Sequence, residues 1–138
     1  MGDVRELRPK QPDSEKITIN LGYVDLGGID LLVKEGFYSN RSDFIRTAVR
    51  NQLQQHGDSI RKTVSRQQIE LGLRRYGRAD LEKLRDAGEQ LEIQVLGLLV
   101  IAPDVSPELA RAAIASIDVL GAWQASPEVK AALSDRVR

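Results

Sequence analysis

The sequence predicts an α+β chain in two parts: an intermolecular two-stranded ribbon with two helices, then a small α/β module of about three strand-helix repeats. Three observations support this. Residues 16–21 alternate between apolar and polar side chains. Residues 25–53 carry two helical periodicities with a break at 36–38. In the second half an apolar strand pattern recurs, each copy followed by a helical segment.

In Lys16-Ile17-Thr18-Ile19-Asn20-Leu21, the three apolar residues share one face of a strand and Lys16, Thr18 and Asn20 the other. A first helix is expected over Asp25–Glu35, with Leu26, Ile29, Leu32 and Val33 at helical spacing. Gly36-Phe37-Tyr38 breaks it. Ser39 or Asn40 then caps a second helix whose apolar stripe is Ile45, Ala48, Val49 and Leu53, with Phe44 beside it. One strand and two short helices cannot bury a core alone, and a lone strand has two unpaired edges. Antiparallel pairing with the same strand of a second copy remedies both. The ribbon so formed shows Lys16, Thr18 and Asn20 of both chains on one face, and such a ribbon fits the DNA major groove.

These residues carry a resemblance. The strand 16–21 and the run Gly36-Phe37-Tyr38-Ser39-Asn40-Arg41-Ser42-Asp43-Phe44-Ile45-Arg46-Thr47-Ala48 resemble the ribbon-helix-helix family of bacterial transcriptional regulators and antitoxins, the CopG, Arc and MetJ group. The second part is similar to that family's turn and second helix, S-x-R-S-[DE]-x-[IVL]-R-x-A. Where the family often has Pro after the strand, this chain has Gly22. The resemblance implies a dimeric or higher-order regulator, a repressor, that reads double-stranded DNA with its ribbon. Base-edge contacts are expected from Lys16 (guanine acceptors), Asn20 (bidentate to adenine) and Thr18 (hydroxyl and methyl). Phosphate contacts are expected from Ser39, Asn40, Arg41 and Ser42, where the start of the second helix favours an anion.

Composition bounds the alternatives. Lys and Arg total 20 against 20 Asp and Glu, so any affinity for phosphate has to come from local placement. Arg5, Arg8, Lys10 and Lys16 lie near the ribbon but are interleaved with Asp3, Glu6, Asp13 and Glu15. This balance keeps open a ribbon-helix-helix scaffold that never touches DNA. An antitoxin whose C-terminal part binds a toxin is a further alternative, although residues 91–133 look able to fold alone. The absence of cysteine excludes disulfides, cysteine zinc sites and thiol catalysis. A single histidine, His56, cannot make a transition-metal site, and no nucleophile-base or phosphate-loop pattern occurs, so neither a cofactor nor an enzyme activity is expected. The longest apolar run, Val95 to Ala102, is too short to span a bilayer, and the polar N-terminus points to a cytoplasmic protein.

Four segments follow. Residues 1–15, with Pro9 and Pro12, read as a flexible arm. Residues 16–57 form the ribbon-helix-helix domain, ended by Gly57. Residues 58–66 are a polar linker, and 67–138 an assembly or effector module. In that module Ile69-Glu70-Leu71-Gly72-Leu73 recurs at Ile93 and again at Ile117, two steps of 24 residues (93 − 69 and 117 − 93). Helices are expected over 78–87 and after Ser106-Pro107-Glu108 and Ser126-Pro127-Glu128, each of the last two with a Ser cap and Pro at its first position. Three units leave uncapped apolar ends, so the module is expected to join dimers into a tetramer or larger assembly. A rival layout, βαββαβ, places strands at 67–75, 91–96, 98–102 and 117–122 with a hairpin at Gly97. Trp123, with Tyr76 as a neighbour, is expected to pack in the core or cap the last unit rather than face a partner.

Overall fold

The computed structural model describes residues 14–138 and divides at Gln55/His56 into two units. The arm expected over 1–15 lies, apart from its last two residues, outside the described residues.

The first unit holds α1 (Tyr23–Lys34) and α2 (Arg41–Gln55). Helix α1 starts two residues earlier than Asp25 and carries Gly27 and Gly28 inside it, each costing about 1 kcal/mol relative to Ala. It ends in a Schellman motif: Phe37 N–H donates to the Leu32 carbonyl at 2.9 Å and Gly36 N–H to that of Val33 at 3.1 Å. Gly36 takes the left-handed φ of 86° that this ending requires. Residues 16–21, expected as a strand, form no strand within one chain, and all are exposed.

The second unit runs α3 (Gly57–Gln67), β1 (Glu70–Tyr76), α4 (Arg78–Asp86), β2 (Leu91–Ile101), α5 (Pro107–Ala113), β3 (Ile114–Gln124) and α6 (Pro127–Ala132), with a final 3₁₀ turn at Ser134–Arg136. The expected linker 58–66 is helical instead. Gly57 opens this helix rather than closing the preceding domain, and Ile60 and Val64, one turn apart, are its half-buried face. The three strands form a parallel sheet in the order β1-β2-β3. β2 runs without a turn through Gly97, which overturns the hairpin and the βαββαβ layout. Both Ser-Pro-Glu starts cap as the sequence requires: Ser106 Oγ accepts from Leu109 N–H at 3.1 Å and Ser126 Oγ from Val129 N–H at 3.2 Å.

Leu81 of α4, Leu109, Ala110 and Ala113 of α5 and Val129 of α6 share one buried cluster with Ile93, Val95, Leu99, Ile101 and Ile117. The three helices therefore pack on one sheet face. The register explains what the other face carries. Gly72, Gly97 and Gly121 stand side by side, so the first step is 25 residues (97 − 72) and only the second is 24 (121 − 97). A 24-residue first step would put Leu71 beside the buried Val95. The observed register puts it beside Leu96 and Leu120, and Leu73 beside Leu98 and Ala122. A one-residue slip moves a strand's side chains to the opposite face. Leu71 and Leu73 are each 61% exposed as a result.

The glycine row has a steric cause. Gly97 and Gly121 have φ of 140° and 129°, and a Cβ on either would drive into the carbonyl oxygen of Gly72 or Gly97, respectively. Only glycine allows that approach. Trp123 packs against the buried cluster with Lys130 Nζ 5.7 Å from its ring centroid. Tyr76 is not its neighbour, because β2 separates the strands that carry them.

Candidate nucleic-acid interface

Lys16, Thr18 and Asn20 are exposed in the segment that leads into α1, and Ile17, Ile19 and Leu21 alternate with them along the sequence at 79%, 56% and 38% exposure. The apolar side is unfinished. Ile19 and Leu21 border an open groove of about 690 Å³ whose walls include Val24, Ile29, Ile45 and Val49. Val49 and Leu53 of the α2 stripe are 51% and 55% exposed, and Ile29 is the one buried hydrophobic residue among the described residues of this unit. Apolar surface on the strand segment and on both helices thus converges where a single chain supplies no cover.

The start of α2 is built around Asp30, which the sequence reading left out, and Asp43, which it quoted in the family motif without a role of its own. Asn40, not Ser39, is the cap: its Oδ1 accepts from Asp43 N–H at 2.8 Å, and Ser39 N–H donates back to Asp43 Oδ2 at 2.9 Å. The Asn40 side chain thus caps the N–H three residues on, as an N-cap does, while the Asp43 carboxylate reaches one residue further back than a capping box would, to the Ser39 N–H. Tyr38 and Phe44 close the turn with an edge-to-face contact, centroids 5.0 Å apart. Arg41 donates from Nε and Nη2 to the two oxygens of Asp30, both at 2.8 Å. No pattern within one helix announces that pair, since the residues lie eleven apart on different helices.

Hydrogen bonding from Arg41 holds the Asp30 carboxyl below its ordinary range; desolvation opposes this and the Arg41 charge adds to it. Because the folded value is lowered, the pair contributes above the ordinary carboxylate range and is lost only as pH falls through the lowered value. Of the four expected phosphate contacts, then, Asn40 is engaged as a cap and Arg41 in an ion pair. Ser39 and Ser42 remain exposed at the helix start with the N–H groups of the first turn. The Asp43 carboxylate places a negative charge at that same end.

Residues 12–130 match the Ribbon-Helix-Helix transcriptional regulator family. The chain belongs to that family. The match continues through the sheet unit, well beyond the 16–50 segment whose motifs carry the resemblance. Neither curated proteins nor solved structures give a significant match. Regulators of this family typically bind DNA as dimers, and family members are generally not enzymes. Among the described residues no group of three His, Cys, Asp or Glu is placed to hold a metal ion, and no helix is long and apolar enough to cross a membrane.

Proposed function

We propose that this ribbon-helix-helix protein is a repressor that reads double-stranded DNA in the major groove through a ribbon formed by residues 16–21 of two chains. One observation carries the reading: Ile17, Ile19 and Leu21 are all exposed, and the last two border an apolar groove on α1 and α2 that a second copy of the same unit would fill. Antiparallel pairing of the two segments satisfies their backbone groups, buries those three residues and leaves Lys16, Thr18 and Asn20 outward. In this reading those residues meet base edges, while Ser39, Asn40, Arg41 and Ser42 hold the phosphates that set the ribbon's depth.

Thr18→Ala and Asn20→Ala are each expected to cost about 1–3 kcal/mol on a specific site and to change base preference. Gel shifts with the DNA upstream of the protein's own gene, and with single-base variants of the bound site, measure this. Unchanged affinity on every DNA tested would leave the scaffold reading in possession.

Arg41 has two possible duties that a pair of variants separates. If it holds phosphate, Arg41→Ala weakens binding evenly across sequences and flattens the salt slope by about 1. Asp30→Ala frees the guanidinium and should leave that slope unreduced. Equal losses in the two variants would mean that the Asp30 ion pair, rather than a phosphate contact, is what binding requires.

The sheet unit supports self-association. Parallel sheets occur almost only with both faces covered, yet the face bearing Leu71, Leu73 and Leu120 lies open, the last at 56% exposure. A module that joins dimers would let two ribbons engage neighbouring half-sites and gain from effective concentration.

A further inference from the structure

Gly72 poses a problem that the single chain does not solve. Its φ is 106°, in the region that glycine alone adopts readily, yet a Cβ built on it meets nothing within 4 Å. Gly97 and Gly121 share this conformation because a carbonyl from the preceding strand presses against each of them. Gly72 has no preceding strand. It stands on the outer side of β1, whose residues are exposed from Glu70 to Arg75.

The opposite end of the ladder has the complementary feature. The carbonyl of Gly72 meets Gly97 and that of Gly97 meets Gly121. By the same step the carbonyl of Gly121 is directed to the outer side of β3, where no strand receives it. The only pairing on that side among the described residues is a bridge from Ile117 to Val137, near the beginning of β3. From Val119 onward the edge is open. The stretch needed to seat β1 begins at that point, since the ladder places Glu70 beside Val95 and Val95 beside Val119.

We infer that β1 of one chain adds to the outer edge of β3 of a second copy, in parallel, with Gly72 against the Gly121 carbonyl. The seam continues the register already present twice in the sheet: the partner's Leu73 stands beside Ala122 and the partner's Arg74 beside Trp123. It satisfies two rows of unpaired backbone groups. It also gives Gly72 the neighbour that its two counterparts have. The two surfaces differ, so the contact is heterologous and repeats from chain to chain until the rotation closes. This deepens the self-association part of the proposed function and rests on it only for the expectation that chains associate beyond the ribbon dimer.

The chain contains no cysteine, so introduced thiols report on the seam alone. Leu73→Cys and Ala122→Cys lie on β1 and β3 with β2 between them, about 9–10 Å apart and beyond disulfide reach within one chain. Across the seam they become neighbours about 4.8 Å apart. Mixing the two full-length variants under mild oxidation should give a band at twice the 15.3 kDa chain mass. Each variant alone should stay unlinked, and the double variant should form a ladder beyond two chains.

Failure of the mixture to link overturns the seam. So does Leu73→Cys linking to itself, which would mean that the open leucine faces pack on each other. Equal linking of Leu73→Cys to Leu120→Cys, two residues off register, overturns it as well. Light scattering on the unaltered chain separates the two levels. A mass above the dimer without register-specific linking rejects the seam and spares self-association; a mass no higher than the dimer rejects both.

Discussion

In Gly97→Ala the urea midpoint of the second unit is expected to fall by ~1 M or more. Two costs combine. A non-glycine residue at φ 140° sits in strained backbone, worth about 1–3 kcal/mol. Its Cβ also has to displace the Gly72 carbonyl from the middle of a paired sheet, an overpacking cost of about 1–3 kcal/mol. Against total stabilities of about 5–15 kcal/mol, that is enough to leave much of the unit unfolded at 37 °C. The chain's single tryptophan, Trp123, lies on β3 and reports the transition by fluorescence. Gly72→Ala keeps the backbone strain but meets no atom within 4 Å in the single chain. Its loss should be smaller, about 1–3 kcal/mol. Equal midpoints for the two variants, at protein concentrations low enough to dissociate any contact between β1 and the β3 edge of a second copy, would show that the close carbonyl approach at Gly97 is not what fixes glycine there.

Ile19→Asp should abolish both the dimer and DNA binding while leaving the single chain folded. At 56% exposure Ile19 is open to water in one chain, so a carboxylate there costs the monomer little. In the proposed ribbon the same position is enclosed by two copies of the groove, and an unpaired charge enclosed that way costs several kcal/mol, twice over in a symmetric pair. Light scattering on a fragment ending near Asp58, in wild-type and variant forms, reads the dimer; a gel shift on the full chain reads binding. A variant that still dimerises and binds as wild type would place the dimer contact, and the DNA-reading face, somewhere other than residues 16–21.

Much of this was legible from residue spacing. The break at Gly36 and the two Ser-Pro-Glu starts each rest on a local rule, and local rules survive whatever the rest of the chain does; the strand read from the alternation in 16–21 does not form within one chain. The repeat in the second unit was visible too, but its register was not. Isoleucines at 69, 93 and 117 suggest equal steps, whereas the glycines decide the pairing, because a backbone that must pass another at carbonyl distance tolerates no slip. Gly97 was equally open to misreading: a glycine amid apolar residues suits a turn or a close approach, and only the neighbouring strands distinguish the two. Helix α3 was missed because its face is thin, Ile60 and Val64 in an otherwise polar stretch with a glycine at its head. The Asp30–Arg41 pair joins separate helices and leaves no mark in either one alone.

The stacking of like units also fixes how the second unit comes together in time. Each pairing joins strands consecutive in the chain, across a crossover that is nearly the same length both times. Closing two short loops of similar size costs little more entropy each than a hairpin-scale search, and neither closure waits on the far end of the chain. β2 is the one strand with a neighbour on both sides, and it contributes four residues to the buried cluster. Assembly can thus begin at either flank of β2 and spread by accretion, which is fast for a parallel sheet and limits the time its apolar edges stay bare.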